Sequence, residues 1–111
     1  MITQHLITHI KAEPEVLDDL LALHVACKKA VKAAKAELLN IIEHKFEPQG
    51  CTVLCLLGES HMSIHTWPER GTAAVDIFTC GAHTRPMEGL NALLSELGAT
   101  AQGCEVITRK E

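Results

Sequence analysis

Within residues 58–81 the chain gathers Ser60, His61, His65, Trp67 and Cys80 around one Pro-centred turn. Hydroxyl, imidazole and thiol groups can act as nucleophile, base and proton donor. Metal binding is the weakest option. His61 and His65 are four apart, a spacing that shares a zinc ion on a helix. On a strand the same spacing puts them about 13 Å apart, too far for two ligands with bonds of about 2 Å. His65, Cys80 and His83 would meet only across a hairpin and form no convincing half-site, so no metal is expected. A second option is a thiol–imidazole pair, Cys80 with His65 across the hairpin, against a plain buried cysteine. Spacing leaves these two open. The third option is the Glu59-Ser60 bond. A serine at a tight turn can attack the preceding carbonyl; elimination from the resulting ester splits the chain and leaves a dehydroalanine, which takes up water and loses ammonia to give a pyruvoyl group at the new N-terminus. That ketone can form a Schiff base with a substrate amine and draw off electrons. Gly58 permits the turn.

The elements that must position these groups are legible from periodicity. Residues 3–10 read as a first strand with His5 and His9 on one face. Pro14 with Glu13 and Glu15 opens a helix expected to run to about Ala36. Its buried stripe is Val16, Leu17, Leu20, Leu21, His24, Cys27, Val31 and Ala34. Residues 38–46 favour a second strand, Gln49-Gly50 a turn, and the apolar run Cys51 to Leu57 a central strand. From His61 the alternation places Met62 and Ile64 on one face, with His61, Ser63, His65 and Trp67 on the other. A turn at 68–71 returns the chain as a strand from Thr72 to Cys80. Pro86 starts a second helix that Gly98 ends, with Leu90, Leu93, Leu94 and Leu97 buried. Residues 101–109 form a last strand, an edge with Gly103 as a bulge. The order β-α-β-β-β-β-α-β predicts an antiparallel or mixed sheet with both helices on one face. Nothing in the chain covers the other face, and a second copy would.

Composition agrees. A chain of 111 residues, 47% hydrophobic, builds one core, and its two Phe, one Trp and no Tyr leave that core to aliphatic side chains. A net charge of −4 with no long basic run argues against nucleic acid and anionic membrane as partners. No apolar run approaches the roughly 20 residues of a membrane span, and the start shows no export signal, so a cytoplasmic setting is expected. The five cysteines are an odd count, which favours free thiols. Cys51 and Cys55, about 13 Å apart along a strand, cannot bridge each other.

Glu-Ser-His-Met-Ser-Ile-His-Thr-Trp-Pro-Glu at 59–69 and Ala-Ala-Val-Asp-Ile-Phe-Thr-Cys-Gly at 73–81 closely resemble the small prokaryotic S-adenosylmethionine decarboxylases. The likeness extends to His-Lys-Phe-Glu-Pro-Gln-Gly at 44–50 and is looser elsewhere. It implies an α+β fold: a two-layer α/β sandwich, a mostly antiparallel sheet with two helices on one face, paired as a homodimer with active sites near the interface. It also implies one domain, 1–111, that cuts itself between Glu59 and Ser60 into chains 1–59 and 60–111. Ser60 would become the pyruvoyl group, His65 would assist processing with support from Thr52, and Cys80 would return a proton to the α-carbon. Phe46, Trp67 and Glu69 would bind the substrate, the aromatics by stacking or cation–π contact. The implied activity is decarboxylation of S-adenosylmethionine for spermidine synthesis. Two alternatives stand beside it: a relative acting on arginine or ornithine, with Glu69 or Asp76 facing the distal cation, and a non-catalytic regulatory homologue. Thr52-Val53 replaces the family's usual Ser-Gly, Thr3-Gln4 its Gly-Arg, and His9 an acidic position. Those departures bear on the substrate and leave the processing residues in place.

Overall fold

The computed structural model describes residues 1–58 and 60–111. Glu59, the expected new C-terminus, lies outside the described residues. The elements are strand β1 (Ile2–Lys11), helices α1 (Pro14–Leu17) and α2 (Leu20–Ala33), and strands β2 (Leu38–Lys45), β3 (Cys51–Leu57) and β4 (Ser60–Trp67). A 3₁₀ turn (Pro68–Arg70), strand β5 (Thr72–Cys80), helix α3 (Pro86–Leu97) and strand β6 (Thr100–Lys110) complete the chain. The six strands form one sheet in the order β2-β3-β4-β5-β1-β6, and every neighbouring pair is antiparallel. The helices lie on one face, as expected.

Alternation along the strands decides which face each residue joins. Leu6 and Ile10 of β1, Val53, Cys55 and Leu57 of β3, Met62 and Ile64 of β4, and Val75 and Ile77 of β5 are buried under the helices. The helices answer with Leu17, Leu23, Ala26, Cys27, Ala30 and Val31 from α1 and α2, and Leu90, Leu93 and Leu97 from α3. Gly89 lets α3 approach α2 closely, since a Cβ there would stand 3.0 Å from the Ala34 Cβ and 3.1 Å from the Ala30 carbonyl oxygen. Among the described residues nothing covers the opposite face. Ile42, Leu54, Leu56 and Trp67 emerge there, with Leu56 53% exposed.

The first helix departs from expectation. It is two helices, because the Asp19 side chain accepts from the Ala22 N–H at 3.0 Å and starts α2 afresh. The break shifts the helical phase. Leu21, expected in the core, is 72% exposed, and Leu23, Ala26 and Ala30 take the inward positions. His24 is not a packing residue either: it is half-buried and hydrogen-bonds Glu43 of β2 at 2.8 Å. Helix α2 stops at Ala33 rather than about Ala36. Lys35 takes a left-handed φ of 58°, Lys35 N–H donates to Lys32 O at 3.1 Å, and Ala36 N–H donates to Val31 O at 3.2 Å. That is a Schellman ending with lysine where glycine is usual.

The last strand is an edge with its bulge at Gly103. Thr8 pairs with Cys104 and His9 with Gln102, leaving Gly103 over at a φ of 67°.

Candidate active site

Ser60 opens β4 directly behind the turn at Gly58. It is buried on the helix-covered side, and its hydroxyl donates to Gly58 O at 3.3 Å. Cys80 ends β5 at the same end of the sheet, two residues beyond the pair His61↔Phe78. Its half-buried thiol lies 3.4 Å from the Met1 sulfur. A cavity of about 940 Å³ opens beside it, lined by Met1, Gln4, Cys80, Thr84, Arg85 and Met87 among others. The loop after Cys80 is held from within. Gly81 turns at a φ of 102°, with the His83 ring so close that a Cβ would meet it at 2.9 Å. Thr84 Oγ1 donates to Gly81 O at 2.9 Å, and the Arg85 guanidinium donates to Ala82 O and Thr84 O.

A second, smaller pocket of about 400 Å³ lies at the other end of β4. Phe46, Gly50, Thr52, His65, Trp67 and Glu69 line it. Thr52 faces His65 across the β3–β4 ladder, and its Oγ1 lies 2.9 Å from the His65 Nδ1. The β2–β3 hairpin that carries Phe46 is closed by the Phe46 N–H donating to Gly50 O at 2.8 Å.

The sequence-identified residues therefore fall into two groups. Ser60 and Cys80 share one end; Phe46, Thr52, His65, Trp67 and Glu69 share the other. Five strand residues from Ser60 to His65 span about 16 Å, and the period of two turns their side chains to opposite faces. His65 pairs with Ala74, six residues short of Cys80, or about 20 Å. The thiol–imidazole pair considered from sequence is not formed within one chain. Asp76, an alternative partner for a substrate cation, lies in neither pocket: its carboxylate is 3.3 Å from His5 on the open face. Beside it Arg109 stacks 4.9 Å over the Phe78 ring, which also neighbours His5 and His61.

Sequence reading missed Asp18. Its Oδ1 accepts from Lys45 Nζ at 2.8 Å and from the Gly50 N–H at 2.8 Å. The Lys45 hydrogen bond, then that of Gly50, holds the Asp18 carboxyl below its ordinary 3.8, and the Asp18 hydrogen bond raises Lys45 in turn. Asp18-Asp19 falls between the stripe positions Leu17 and Leu20, so the apolar spacing alone did not mark it.

Cys27, Cys51 and Cys55 behave as core, while Cys104 is exposed on β6. All five cysteines are free. Hydrogen bonding to Cys55, followed by burial, pushes the Cys27 thiol well above its ordinary value, and burial also raises Cys51. Among the described residues no cluster of three or more His, Cys, Asp or Glu is placed to hold a metal ion. No helix among the described residues is long and apolar enough to cross a membrane.

The two-layer sandwich is shared with an enzyme of known structure. The crystal structure of the adenosylmethionine decarboxylase from Aquifex aeolicus VF5 superposes with a TM-score of 0.83 at 26% identity, covering 97% of this chain and 88% of that one. The S-adenosylmethionine decarboxylase proenzyme of Parasynechococcus marenigrum (strain WH8102) is 52% identical over 100 residues, 89% of this chain and 78% of that protein. The proenzyme of the same description from Prochlorococcus marinus (strain MIT 9211) is 46% identical over 110 residues, 98% of this chain and 90% of its own. The profile of the S-adenosylmethionine decarboxylase family matches residues 3–110. The chain belongs to that family.

Proposed function

We propose that the chain is a proenzyme that cuts itself ahead of Ser60, and that the mature protein, as a homodimer, decarboxylates S-adenosylmethionine to supply polyamine synthesis. The observation that carries this reading is the placement of Ser60 and Cys80. In a chain of this family, the serine expected to be processed and the thiol expected to donate a proton lie at one end of adjacent strands. A pyruvoyl group at residue 60 suits the position: it follows a glycine turn, and the serine hydroxyl donates to Gly58 O at 3.3 Å. When present, that group supplies a ketone that condenses with the substrate amine and takes up the electrons released with carbon dioxide.

The chain's own residues do the rest. Cys80 Sγ returns a proton to the substrate α-carbon. Phe46 and Trp67 offer π faces to the adenine or the sulfonium, and Glu69 offers a carboxylate to positive charge. Both aromatics are partly exposed, with Trp67 40% open. Because the aromatic pocket and the Ser60 end are so far apart in one chain, the complete site is read as one copy's Ser60 and Cys80 meeting the other copy's aromatic pocket. The uncovered apolar face carrying Leu54, Leu56 and Trp67 supports that pairing. His65 on β4 and Thr52 opposite it lie about 16 Å along the strands from the Ser60 of their own chain, so processing assistance is assigned in trans.

The departures at Thr52-Val53 and His9 favour no other substrate by themselves. The test is carbon dioxide release from S-adenosylmethionine, arginine and ornithine side by side, after intact mass has shown two fragments and borohydride has trapped a carbonyl. Turnover of S-adenosylmethionine alone is expected. An unsplit chain, or one without a trappable carbonyl, refutes the reading.

A further inference from the structure

The break between α1 and α2 is more than a helix ending. Residues 17 and 18 reach the walls of the Phe46–Trp67–Glu69 pocket through three hydrogen bonds. Leu17 O accepts from Thr66 Oγ1 at 2.8 Å, and Thr66 Oγ1 itself accepts from the Cys51 N–H at 2.8 Å. Asp18 Oδ1 accepts from Lys45 Nζ and from the Gly50 N–H, each at 2.8 Å. Thr66 lies between His65 and Trp67 on β4. Lys45 and Gly50 bracket Phe46 on the hairpin.

The hairpin needs such an anchor. Gly50 holds a φ of 104°, closed to ordinary side chains, and a Cβ there would meet Thr66 O at 3.2 Å. Phe46 is held to it through the Phe46 N–H···O bond to Gly50, while the residue is 46% exposed. Its ring meets the His44 ring edge-on at 4.5 Å, and His44 belongs to the same hairpin, so the ring takes its place from the hairpin as a whole. A side chain that fixes Gly50 therefore fixes Phe46 relative to Trp67, and both rings must be in register to sandwich or flank a flat ligand.

We infer that Asp18 is a positioning residue for substrate specificity: by clamping Gly50 and Lys45 it sets the Phe46 wall of the aromatic pocket opposite Trp67. The inference rests on the reading of that pocket as the site for the substrate's nucleoside. Asp18 touches no reacting atom, so its loss weakens binding without slowing the chemistry of a bound substrate.

Trp67 is the only tryptophan, so its fluorescence reports the pocket without turnover. The probe is 5′-methylthioadenosine, which carries adenine and sulfur but no carboxylate to lose. Saturable quenching is expected in the unaltered protein. Asp18→Ala is expected to raise the Kd about ten-fold, equivalent to about 1.4 kcal/mol. With S-adenosylmethionine it raises KM in step and leaves kcat within about two-fold. Asp18→Asn keeps an oxygen for the Gly50 N–H and is expected to stay within about three-fold of the starting Kd, as is Lys45→Met, which leaves the Gly50 bond intact. Should Asp18→Ala fail to fold, these two variants with Gly50→Ala, which displaces the same hairpin, decide the question. Unchanged binding in Asp18→Ala or Gly50→Ala, or a fall in kcat with KM unmoved, overturns the role. Absence of quenching in the unaltered protein is a different failure: it removes the nucleoside assignment of the pocket itself.

Discussion

A site completed by a second copy can be tested by mixing two damaged chains. Cys80→Ala removes the thiol at the Ser60 end, and Glu69→Gln removes the carboxylate at the aromatic end. Trp67 pairs with Thr72, and eight residues of β5 then run to Cys80, about 26 Å. No single substrate placed at one pocket touches both groups of one chain. Loss of a proton donor costs about 10²-fold or more in rate. Loss of a hydrogen bond to a charged group costs about 2 kcal/mol, roughly 30-fold in kcat/KM. Each variant alone is thus expected at about 3% of full activity or less. Co-expressed at equal levels, half the dimers carry one chain of each kind. Each such dimer has one site with both lesions and one with none, so activity recovers to about 25% of the unaltered protein. The assay is carbon dioxide release by tandem-tagged, co-expressed protein, with fragment patterns checked so that processing is equal. If the mixture stays at the mean of the two parents, the catalytic groups work within one chain and the assignment across the interface is wrong.

Processing offers a parallel test: His65→Ala is expected to split slowly alone and to be rescued by an added Ser60→Ala copy, which supplies an intact His65; band ratios on a denaturing gel check it. In the native protein, thiol labelling followed by mass mapping is expected to leave Cys27, Cys51 and Cys55 untouched until denaturant is added. Lys35→Gly, measured by urea unfolding in an unsplit Ser60→Ala background, is expected to stabilise the fold by about 0.5–1 kcal/mol, since glycine adopts the left-handed φ freely. The Asp18 carboxyl has a folded pKa below its unfolded 3.8, so its clamp is fully present above that value and fades as pH falls through the lower one. An NMR titration is expected to show the Asp18 carboxyl and the Gly50 amide moving together below pH 3.8.

Strand identity was legible because the alternation in β4 and β5 is unbroken and each run ends at a glycine or proline. The helix interruption was not, because Asp18-Asp19 sits inside residues that still keep helical spacing, and only the side-chain bond from Asp19 to the Ala22 N–H marks a new start. Lys35 was equally silent: the backbone of the Schellman ending outweighs the preference for glycine. The site residues were found by resemblance, and their separation was available by counting. A tight turn at 68–71 pairs Trp67 with Thr72, which fixes His65 opposite Ala74 and sends Cys80 past the start of β4. Sharing a hairpin made His65 and Cys80 look close, whereas register decides which residues meet. Asp18 escaped because its role depends on a hairpin 27 residues away that no local pattern connects to it.

The topology also bears on how a chain cut ahead of Ser60, as proposed, would remain one molecule. A cut ahead of Ser60 falls in the connection between β3 and β4 and removes no ladder pair. Residues 1–59 hold β1, which lies between β5 and β6 of the second piece, while β3 pairs with β4 along its length. Separating the pieces would open three ladders and expose Leu6, Val53, Met62 and Val75 to water, a cost far above that of the lost covalent tie. The same cut would free the first residue of β4 while neighbouring strands still hold it. A strand start would give the new terminus a backbone fixed by the neighbouring ladders, which a reactive carbonyl needs to be placed.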